Sequence, residues 1–161
     1  RVFETLDTVS RRWYLPTIGE VLLTDTVGFI RDLPKDLVAA FQTTLQELEE
    51  ADLLLHVIDA HAPDPEQHIR AVEQVLTELG FENIPRLRFF NKGDLLNSED
   101  MQRLCQRFQG IGGSALDATS LQAIQQEIAH MLQTRRDPLS RFSEADATLM
   151  NQAVVSENGV A

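Results

Sequence analysis

The sequence predicts an α/β fold in which helices cover both faces of a largely parallel sheet. Three observations predict it: strand-like runs alternate with segments of helical periodicity, one run is apolar throughout, and polar motifs directly follow two runs. A strand buried on both faces reads as a continuous apolar run, and open α/β sheets bind ligands beyond their strand ends. We therefore expect three layers and a ligand site at one edge of the sheet.

The composition fits a single domain with a substantial core. Of the 161 residues, 43% are apolar, and the formal net charge is −11. This charge argues against a broad surface for nucleic-acid phosphates, so no DNA partner is expected. No apolar stretch reaches the roughly 18 residues of a membrane span, and a cytoplasmic location is the default expectation. Cys105 is the only cysteine, so no internal disulfide is expected, and a structural thiol is predicted.

The first elements are predicted to be a hairpin and a helix. The β-type runs 12–15 and 20–24 are separated by Pro-Thr-Ile-Gly, which indicates an antiparallel pair with a short loop. Residues 36–50 carry apolar side chains at helical spacing, and Pro34 suits the start of that helix.

The middle of the chain predicts a central strand followed by a well-bounded helix. Residues 53–58 are apolar without alternation, as expected of a parallel strand covered on both faces. Asp64 then offers a helix cap, Pro65 occupies the first helical position, and Gly80 ends the helical pattern.

The remaining elements continue the alternation. Residues 86–90 predict a strand, 98–108 a helix, 109–115 a weak final strand, and a last helix starts at Thr119. Periodicity is lost beyond Arg135. We therefore divide the chain into a main domain, residues 1–134, and a C-terminal appendage or tail, residues 135–161.

Residues 91–94, Asn-Lys-Gly-Asp, follow a strand directly and suit the recognition of a guanine base. The Asp94 carboxylate would accept from both N1–H and the 2-amino group of guanine, whereas adenine offers a lone pair at N1. Such a bidentate contact discriminates by about 1 to 3 kcal/mol. Asn91 would brace the loop, and the stem of Lys92 would cover the ring. The alternative is a plain polar turn between a strand and a helix, which a strand directly before the motif disfavours.

Residues 25–28, Asp-Thr-Val-Gly, follow the second strand of the hairpin and suit a phosphate and its metal ion. Asp25 could hold Mg²⁺ through water, and Gly28 would let its backbone N–H approach a phosphate oxygen. An Asp and a Gly at this spacing are common by chance, so the indication rests on the order of the two motifs along the chain.

These motifs, in this order, resemble those of the translational class of P-loop GTPases. The fuller match is to the HflX family of ribosome-associated GTPases, through TLDT at 5–8, LLTDTVGFI at 22–30 and LLLHVIDA at 53–60. The likeness covers residues 1–94, fades through Ser114 and Ala115, and does not extend to the tail. It implies a P-loop GTPase-like sheet, GTP or GDP with Mg²⁺ as ligands, and the large ribosomal subunit as partner.

The resemblance also implies roles for single residues. Thr5 would be the switch threonine that closes on Mg²⁺ and the terminal phosphate, with Thr8 as the alternative. Ser114 and Ala115 would supply a backbone N–H to guanine O6, although Leu116 stands where the family commonly has lysine. Phe29 stands where many GTPases carry a water-orienting glutamine, so slow intrinsic hydrolysis is expected and no catalytic residue is assigned.

One part of the implied fold has no counterpart in the sequence. A phosphate loop ending in Gly-Lys-Ser/Thr does not occur in the 161 residues, and its strand would lie between runs 20–24 and 53–58. We expect the chain to be a fragment of a longer GTPase that is inactive alone, or its absent strand to be supplied from elsewhere. An unpaired buried backbone group costs about 1 to 3 kcal/mol, and an absent strand would leave several such groups.

Two other functions remain open. The first is a non-catalytic interaction module of the same lineage that has lost its phosphate loop. The second is a receiver-like or dehalogenase-like domain with Asp25 or Asp59 as covalent acceptor, which leaves residues 91–94 unexplained.

Overall fold

The computed structural model of the protein describes residues 9–25, 46–135 and 151–157. It contains a six-stranded sheet in the order β1-β2-β6-β3-β4-β5. The strands are β1 Val9–Leu15, β2 Gly19–Asp25, β3 Leu53–Asp59, β4 Arg86–Asn91, β5 Gly110–Gly112 and β6 Asn151–Glu157. Only β1 runs antiparallel to its neighbour, and the other pairs are parallel. The predicted α/β class is confirmed.

Four helices and one 3-10 turn connect the described strands. They are α1 Gln46–Glu49, α2 Pro65–Glu78, the 3-10 turn Gly93–Leu95, α3 Ser98–Phe108 and α4 Ala118–Arg135. The helix predicted over residues 36–50 is described only from residue 46, and its earlier part lies outside the described residues. Among the helices that are described, none is long and apolar enough to cross a membrane.

The predicted hairpin is confirmed. β1 pairs with β2 from Val9 opposite Asp25 to Leu15 opposite Gly19, and Gly19 has the positive φ of 95° that ends the turn. Leu15 and Val21 are fully buried, so the hairpin contributes its own side chains to the core.

The unbroken apolar sequence of β3 is explained by the burial of this strand on both faces. Leu53 and Leu55 belong to one buried cluster, whereas Leu54 and Ile58 belong to clusters on the opposite face. Successive strand residues point to opposite faces, so both faces require apolar side chains. The prediction of a central parallel strand is confirmed by its pairing with β4 and β6.

Helices cover both faces of the sheet. On one face, Ile124, Ile128 and Leu132 of α4 share a cluster with residues from β1, β2, β3 and β4. On the other, α1 and α2 contribute Leu48, Val72 and Leu76, and the inner face of α3 packs against a cluster of β3, β4 and α2 residues. The described residues thus form the three predicted layers.

Helices α2 and α4 each begin directly after a residue whose side chain caps the helix. Asp64 Oδ1 accepts from the Gln67 N–H at 2.9 Å, and Pro65 opens α2 as predicted. α4 begins one residue earlier than expected, at Ala118, because Asp117 Oδ2 accepts from the Ser120 N–H at 2.9 Å.

Cys105 lies on the inner face of α3, as predicted for a structural thiol. It packs with Met101 and Leu104 against the cluster that contains Ile58 and Phe90. Partial burial raises the pKa of the thiol, which makes the reactive thiolate scarcer.

A charged network lies between α2 and β4. Glu73 forms an ion pair with Arg86 at 2.8 Å and accepts a hydrogen bond from Arg88 at 2.9 Å. Arg88 also donates to the Phe108 carbonyl at 2.8 Å. His56 is buried beside these groups on β3. Burial first, and then the charges of Arg88, His68 and Arg86, lower the pKa of His56 to about 4, so the imidazole is neutral at pH 7.

β6 fills the interior position between β2 and β3. Ala153 lies opposite Leu23 of β2 on one side and Leu53 of β3 on the other, and both pairings are parallel. This is where the sequence left a place for a strand, and the occupant comes from the segment expected to be an appendage, residues 135–161. Residues 136–150 lie outside the described residues, and the domain boundary at residue 134 stays a prediction.

Candidate functional site

The loops with the predicted site residues lie at one edge of the sheet. β2, β6, β3, β4 and β5 are all parallel to one another. The carboxyl ends of these strands therefore lie at the same edge of the sheet. Asp25 ends β2, Asp59 ends β3 and Asn91 ends β4. Ligands of open α/β sheets bind at this edge.

Residues 91–94 leave β4 through a sharp turn. Lys92 has a left-handed backbone with φ of 62°, and the 3-10 turn Gly93–Leu95 follows at once. A left-handed residue reverses the chain tightly, and this one does so directly after the strand. The side chain of Asp94 is thereby left exposed at the sheet edge.

Lys92 forms an ion pair with the neighbouring strand. Its Nζ lies 2.7 Å from Asp59 Oδ2, and Asp59 also accepts from the His61 N–H at 2.9 Å. Burial by itself raises the pKa of Asp59, but the Lys92 and His61 hydrogen bonds and the Lys92 charge outweigh it, so this pKa lies below its ordinary value. The pair fixes the Lys92 stem across the top of β3 and β4.

Two hydrogen bonds join the loop after β4 to the loop after β5. Asn91 Oδ1 accepts from the Ala115 N–H at 2.8 Å, and the Gly93 N–H donates to the Gly113 carbonyl at 2.8 Å. Asn91 therefore braces the loop, as its predicted role requires. The Ala115 N–H predicted for guanine O6 already has an acceptor, so a bound base would have to share or displace Asn91.

Hydrogen bonds to the start of α4 fix the position of Ser114. Its N–H donates to Ser120 Oγ at 3.1 Å, and that hydroxyl donates to Asp117 Oδ2 at 2.8 Å. The hydrogen bonds from Ser120 lower the pKa of Asp117. Ser114 is buried whereas Ala115 is exposed, so this chain presents Ala115 at the surface.

Close backbone contact requires glycine at two positions of these loops. A Cβ on Gly93 would lie 2.8 Å from the Gly113 carbonyl oxygen, and one on Gly113 would collide with Ser120 Oγ. The backbone at Gly112 and Gly113 is therefore closely packed against its neighbours.

An open cleft of about 680 Å³ is lined by residues of both loops and of α3. Asp94 and Ser114 line it together with Met101 and Cys105 of α3, whereas Asn91, Lys92 and Ala115 are not among its lining residues. Its volume falls within the range of small-molecule sites, roughly 300 to 1,000 Å³. Of the residues predicted to recognise guanine, only Asp94 and Ser114 line this cleft.

Asp25 is the described part of the predicted phosphate and metal end. It is exposed at the end of β2, opposite Val9 and Val155. One carboxylate suits Mg²⁺, which binds few protein ligands beside phosphate and water. Thr5, Thr8 and Gly28 lie outside the described residues. Within the described ranges, no three His, Cys, Asp or Glu side chains are grouped to hold a metal ion alone.

Sequence reasoning missed two supports of the site. Asp59 was considered only as the covalent acceptor of an alternative fold, and Asp117 with Ser120 was not recognised as a brace. Strand order would have pointed to Asp59, because its strand directly precedes the strand of Asn91. The spacing of Asp117 and Ser120 is the sequence pattern of a helix start.

This sheet order, with its loops gathered beyond the parallel strand ends, is that of a P-loop GTPase-like α/β domain. A comparison with protein families agrees with it. The family described as "50S ribosome-binding GTPase" matches residues 1–92, which is more than half of the chain.

Curated relatives give the family more closely. "GTPase HflX" of Caldanaerobacter subterraneus is 55% identical over 96 residues, which cover 60% of this chain and 22% of that protein. "GTPase HflX" of Escherichia coli is 52% identical over 96 residues, with the same coverage. "GTPase HflX" of Spirochaeta thermophila is 37% identical over 164 residues, covering 98% of this chain and 40% of that protein. The chain belongs to the HflX family of GTPases.

The chain spans only part of these relatives. It covers between 22% and 40% of the length of the relatives named above. The match to the Spirochaeta thermophila protein extends over nearly the whole chain, whereas the two more identical matches cover 60% of it.

Proposed function

We propose that this chain is the guanine-recognising part of a GTPase that binds GTP or GDP with Mg²⁺ and hydrolyses GTP. The observation that carries the proposal is the pair of hydrogen bonds joining residues 91–94 to the loop after β5. They hold two exposed residues, Asp94 and Ala115, on loops that are hydrogen-bonded to each other.

The base would be recognised by complementary hydrogen bonding. Asp94 offers two acceptor oxygens to N1–H and the 2-amino group, and the backbone around Ala115 offers donors to O6. The aliphatic stem of Lys92, held at its tip by Asp59, would cover one face of the ring. Adenine would leave the Asp94 carboxylate facing a lone pair, which accounts for selectivity.

The phosphates would extend toward Asp25. Base and terminal phosphate are opposite ends of a nucleotide, and Asp25 lies on the other side of β3 and β6 from Asn91. Asp25 and Thr5 would hold the Mg²⁺ ion that neutralises phosphate charge, and the Gly28 N–H would contact the terminal phosphate.

The proposal is tested in the full-length protein by removing the Asp94 carboxylate. Asp94→Ala should weaken GDP binding at least tenfold, measured by titration with a fluorescent GDP analogue. The matched control is Glu99→Gln, which removes an equal charge from a side chain that is 84% exposed on α3. Equal affinity of Asp94→Ala and Glu99→Gln would contradict guanine recognition by Asp94.

We further propose that the 161-residue chain alone binds GTP weakly and does not hydrolyse it. A base contact without a phosphate cradle has to offset roughly 4 to 15 kcal/mol of association cost. Titration of the chain with the same analogue should give a dissociation constant well above micromolar. A sub-micromolar value would refute this part.

The proposed partner is the large ribosomal subunit, in the cytoplasm. The proposal draws on the family described as "50S ribosome-binding GTPase". Because the chain carries a net charge of −11, contacts to ribosomal RNA should come mainly from other parts of the protein. Cosedimentation of full-length protein with 50S subunits should be retained, and that of residues 1–161 alone should be lost. Equal cosedimentation would contradict this division.

A further inference from the structure

The two edges of the described sheet differ in length. The strand order puts β1 at one edge and β5 at the other. β5 has three residues, Gly110–Gly112, whereas β1 has seven, Val9–Leu15. An edge strand presents unpaired backbone N–H and C=O groups, and proteins often keep such strands very short to avoid pairing with other chains. β5 has this protection and β1 does not.

Most of β1 is accessible to solvent. Five of its seven residues are exposed, and only Leu15 is buried. Val9 is 52% exposed and Tyr14 is 68% exposed, although Val and Tyr are residue types that strands favour. Among the described strands, β1 pairs only with β2. The opposite edge of its backbone is therefore open to a further strand.

β1 is held in an extended form by contacts on its inner edge. All seven of its residues have register partners on β2. Ser10 Oγ lies 2.8 Å from Thr24 Oγ1 across the same pair of strands, and Leu15 belongs to the main buried cluster. A strand that docks on the outer edge would meet a preformed partner, so little additional ordering of this chain is required.

Two arginines give this edge its charge. Arg11 and Arg12 lie in the middle of β1, and both are exposed. Arg12 lies 3.6 Å from Glu20 with a side chain that is 74% exposed, which is a weak pair. Consecutive strand residues point to opposite faces of the sheet. A strand laid along β1 would therefore have an arginine beside it on each face.

This charge favours one kind of occupant. Antiparallel pairing of β1 with β1 of a second copy, centred on the middle residue, would place the two Arg12 side chains opposite each other, and like charges in that position are destabilising. RNA has no backbone that alternates N–H and C=O groups, and Glu20 lies beside Arg12. An extended acidic polypeptide offers both the backbone groups and the opposite charge.

We propose that the outer edge of β1 is a docking site for an extended acidic segment of another protein, which adds to the sheet as a further strand. Backbone hydrogen bonds would supply affinity, and Arg11 and Arg12 would select carboxylate side chains on the incoming strand. This interaction goes beyond nucleotide binding and does not depend on the proposed function.

The first experiment exchanges the charges in the full-length protein. The probes are fluorescent heptapeptides, Glu-Val-Glu-Val-Glu-Val-Glu and Lys-Val-Lys-Val-Lys-Val-Lys, followed by fluorescence polarisation. The wild type should bind the acidic peptide at least tenfold more tightly than the basic one. Arg11→Glu combined with Arg12→Glu should reverse that order.

The matched control reverses two arginines on the helices. Arg70→Glu combined with Arg103→Glu changes side chains that are 76% and 73% exposed, and it should keep the wild-type order of affinities. Equal affinity of the wild type for both peptides, no binding of either, or the same order in both double variants would overturn the proposal.

A second experiment separates strand addition from attraction by charge alone. The acidic peptide is N-methylated at either its odd-numbered or its even-numbered positions, which removes the backbone N–H groups of one edge and keeps every charge. At least one of the two peptides should bind at least tenfold more weakly than the parent. Hydrogen exchange of the amides in β1 should slow when the parent peptide is added, while that of β4 should not change. Full binding of both methylated peptides, or unchanged exchange in β1, would contradict strand addition.

A third probe tests the other class of partner. A fluorescent single-stranded oligouridylate should bind the wild type at least tenfold more weakly than the acidic peptide does, and tighter binding of the oligouridylate would overturn the proposal. None of these measurements contains a guanine nucleotide. Failure of guanine recognition by Asp94 would therefore leave their outcome unchanged, and the two proposals can be rejected separately.

Discussion

The two sides of the sheet hold their loops by different kinds of contact. On the side of β3, β4 and β5, strands adjacent in sequence are also adjacent in space, and side chains bridge their ends through Asp59, Lys92, Asn91 and Ala115. On the side of β1 and β2, the ladder reaches β3 through a strand from the far end of the chain. The loops proposed to recognise the base are therefore held by neighbouring strands of the sheet, whereas the ladder that places Asp25 includes a strand from the far end of the chain.

This difference separates two properties of a nucleotide site. Side-chain pairs fix the proposed base-recognition loops in one arrangement, because each loop is braced by the end of the neighbouring strand or by the loop that follows it. The strands β6 and β3 lie between those loops and Asp25 and set the distance between them. Base selectivity and phosphate binding should therefore respond to different mutations.

The largest expected effect concerns the core beneath residues 91–94. Phe90 is fully buried, and its ring centroid lies 6.4 Å from that of Phe108. Phe90→Ala should lower the free energy of unfolding by about 3 to 5 kcal/mol, measured by urea denaturation. Leu116→Ala is the control, because Leu116 is 92% exposed and should change stability by less than about 0.5 kcal/mol. Similar losses of stability for both variants would contradict tight packing of the core beneath residues 91–94.

The next effect is a pH dependence carried by His56. Its folded pKa of about 4 lies below the ordinary 6.5, so the unfolded chain binds more protons between these values. The contribution of His56 to the free energy of unfolding is therefore complete above pH 6.5. It falls as the pH drops toward 4, by up to about 3 kcal/mol. Denaturation at several pH values should show this slope in the wild type.

Two variants isolate the contribution of His56. His56→Gln should flatten the stability profile between pH 4 and 6.5, whereas His61→Gln, at an exposed position, should keep the wild-type slope. A His56→Gln profile as steep as the wild-type one would assign the dependence to other groups.

A smaller effect should follow loss of the bridge between the two base loops. Asn91→Ala removes the acceptor of the Ala115 N–H, which lies 2.8 Å from Asn91 Oδ1. We expect about 1 kcal/mol of destabilisation and roughly fivefold faster exchange of the Ala115 amide by NMR. Asn83→Ala, at an exposed loop position, should leave that amide unchanged. Unchanged exchange in Asn91→Ala would mean that the loops are not braced through this side chain.

The smallest effect is expected on the hairpin surface. Arg12 and Glu20 lie 3.6 Å apart across β1 and β2 with side chains 74% and 48% exposed. Glu20→Gln should change the free energy of unfolding by less than about 0.5 kcal/mol, because solvent screens such pairs. A loss above about 1 kcal/mol in thermal denaturation would show that cross-strand charge, and not β6, holds the hairpin.

Local signals in the sequence predicted most of the fold. The cap at Asp64, the unbroken apolar run of β3 and the β-type runs around the Pro-Thr-Ile-Gly turn each depend on neighbours in the chain. β6 could not be predicted in the same way, because its pairing is long-range and its apolar part is short. Tertiary context decided it, as is common for strands.

The site shows the same division. Residues 91–94 could be singled out because their types and spacing suit guanine recognition, and that role stays a prediction. The engagement of the Ala115 N–H by Asn91 was not, since it depends on how two loops meet after folding. Asp59 was overlooked for the same reason, because its pairing with Lys92 crosses from one strand to the next.

The central claim is that Asp94 reads the Watson–Crick edge of guanine, and one measurement tests it most directly. Asp94→Asn should be prepared in the full-length protein, and affinities for GTP and xanthosine triphosphate compared by competition against a fluorescent nucleotide. Asparagine offers an N–H donor where the carboxylate accepted, and xanthine offers a carbonyl where guanine has its amine. The account predicts that preference moves from GTP to the xanthine nucleotide. An unchanged preference for GTP would contradict it.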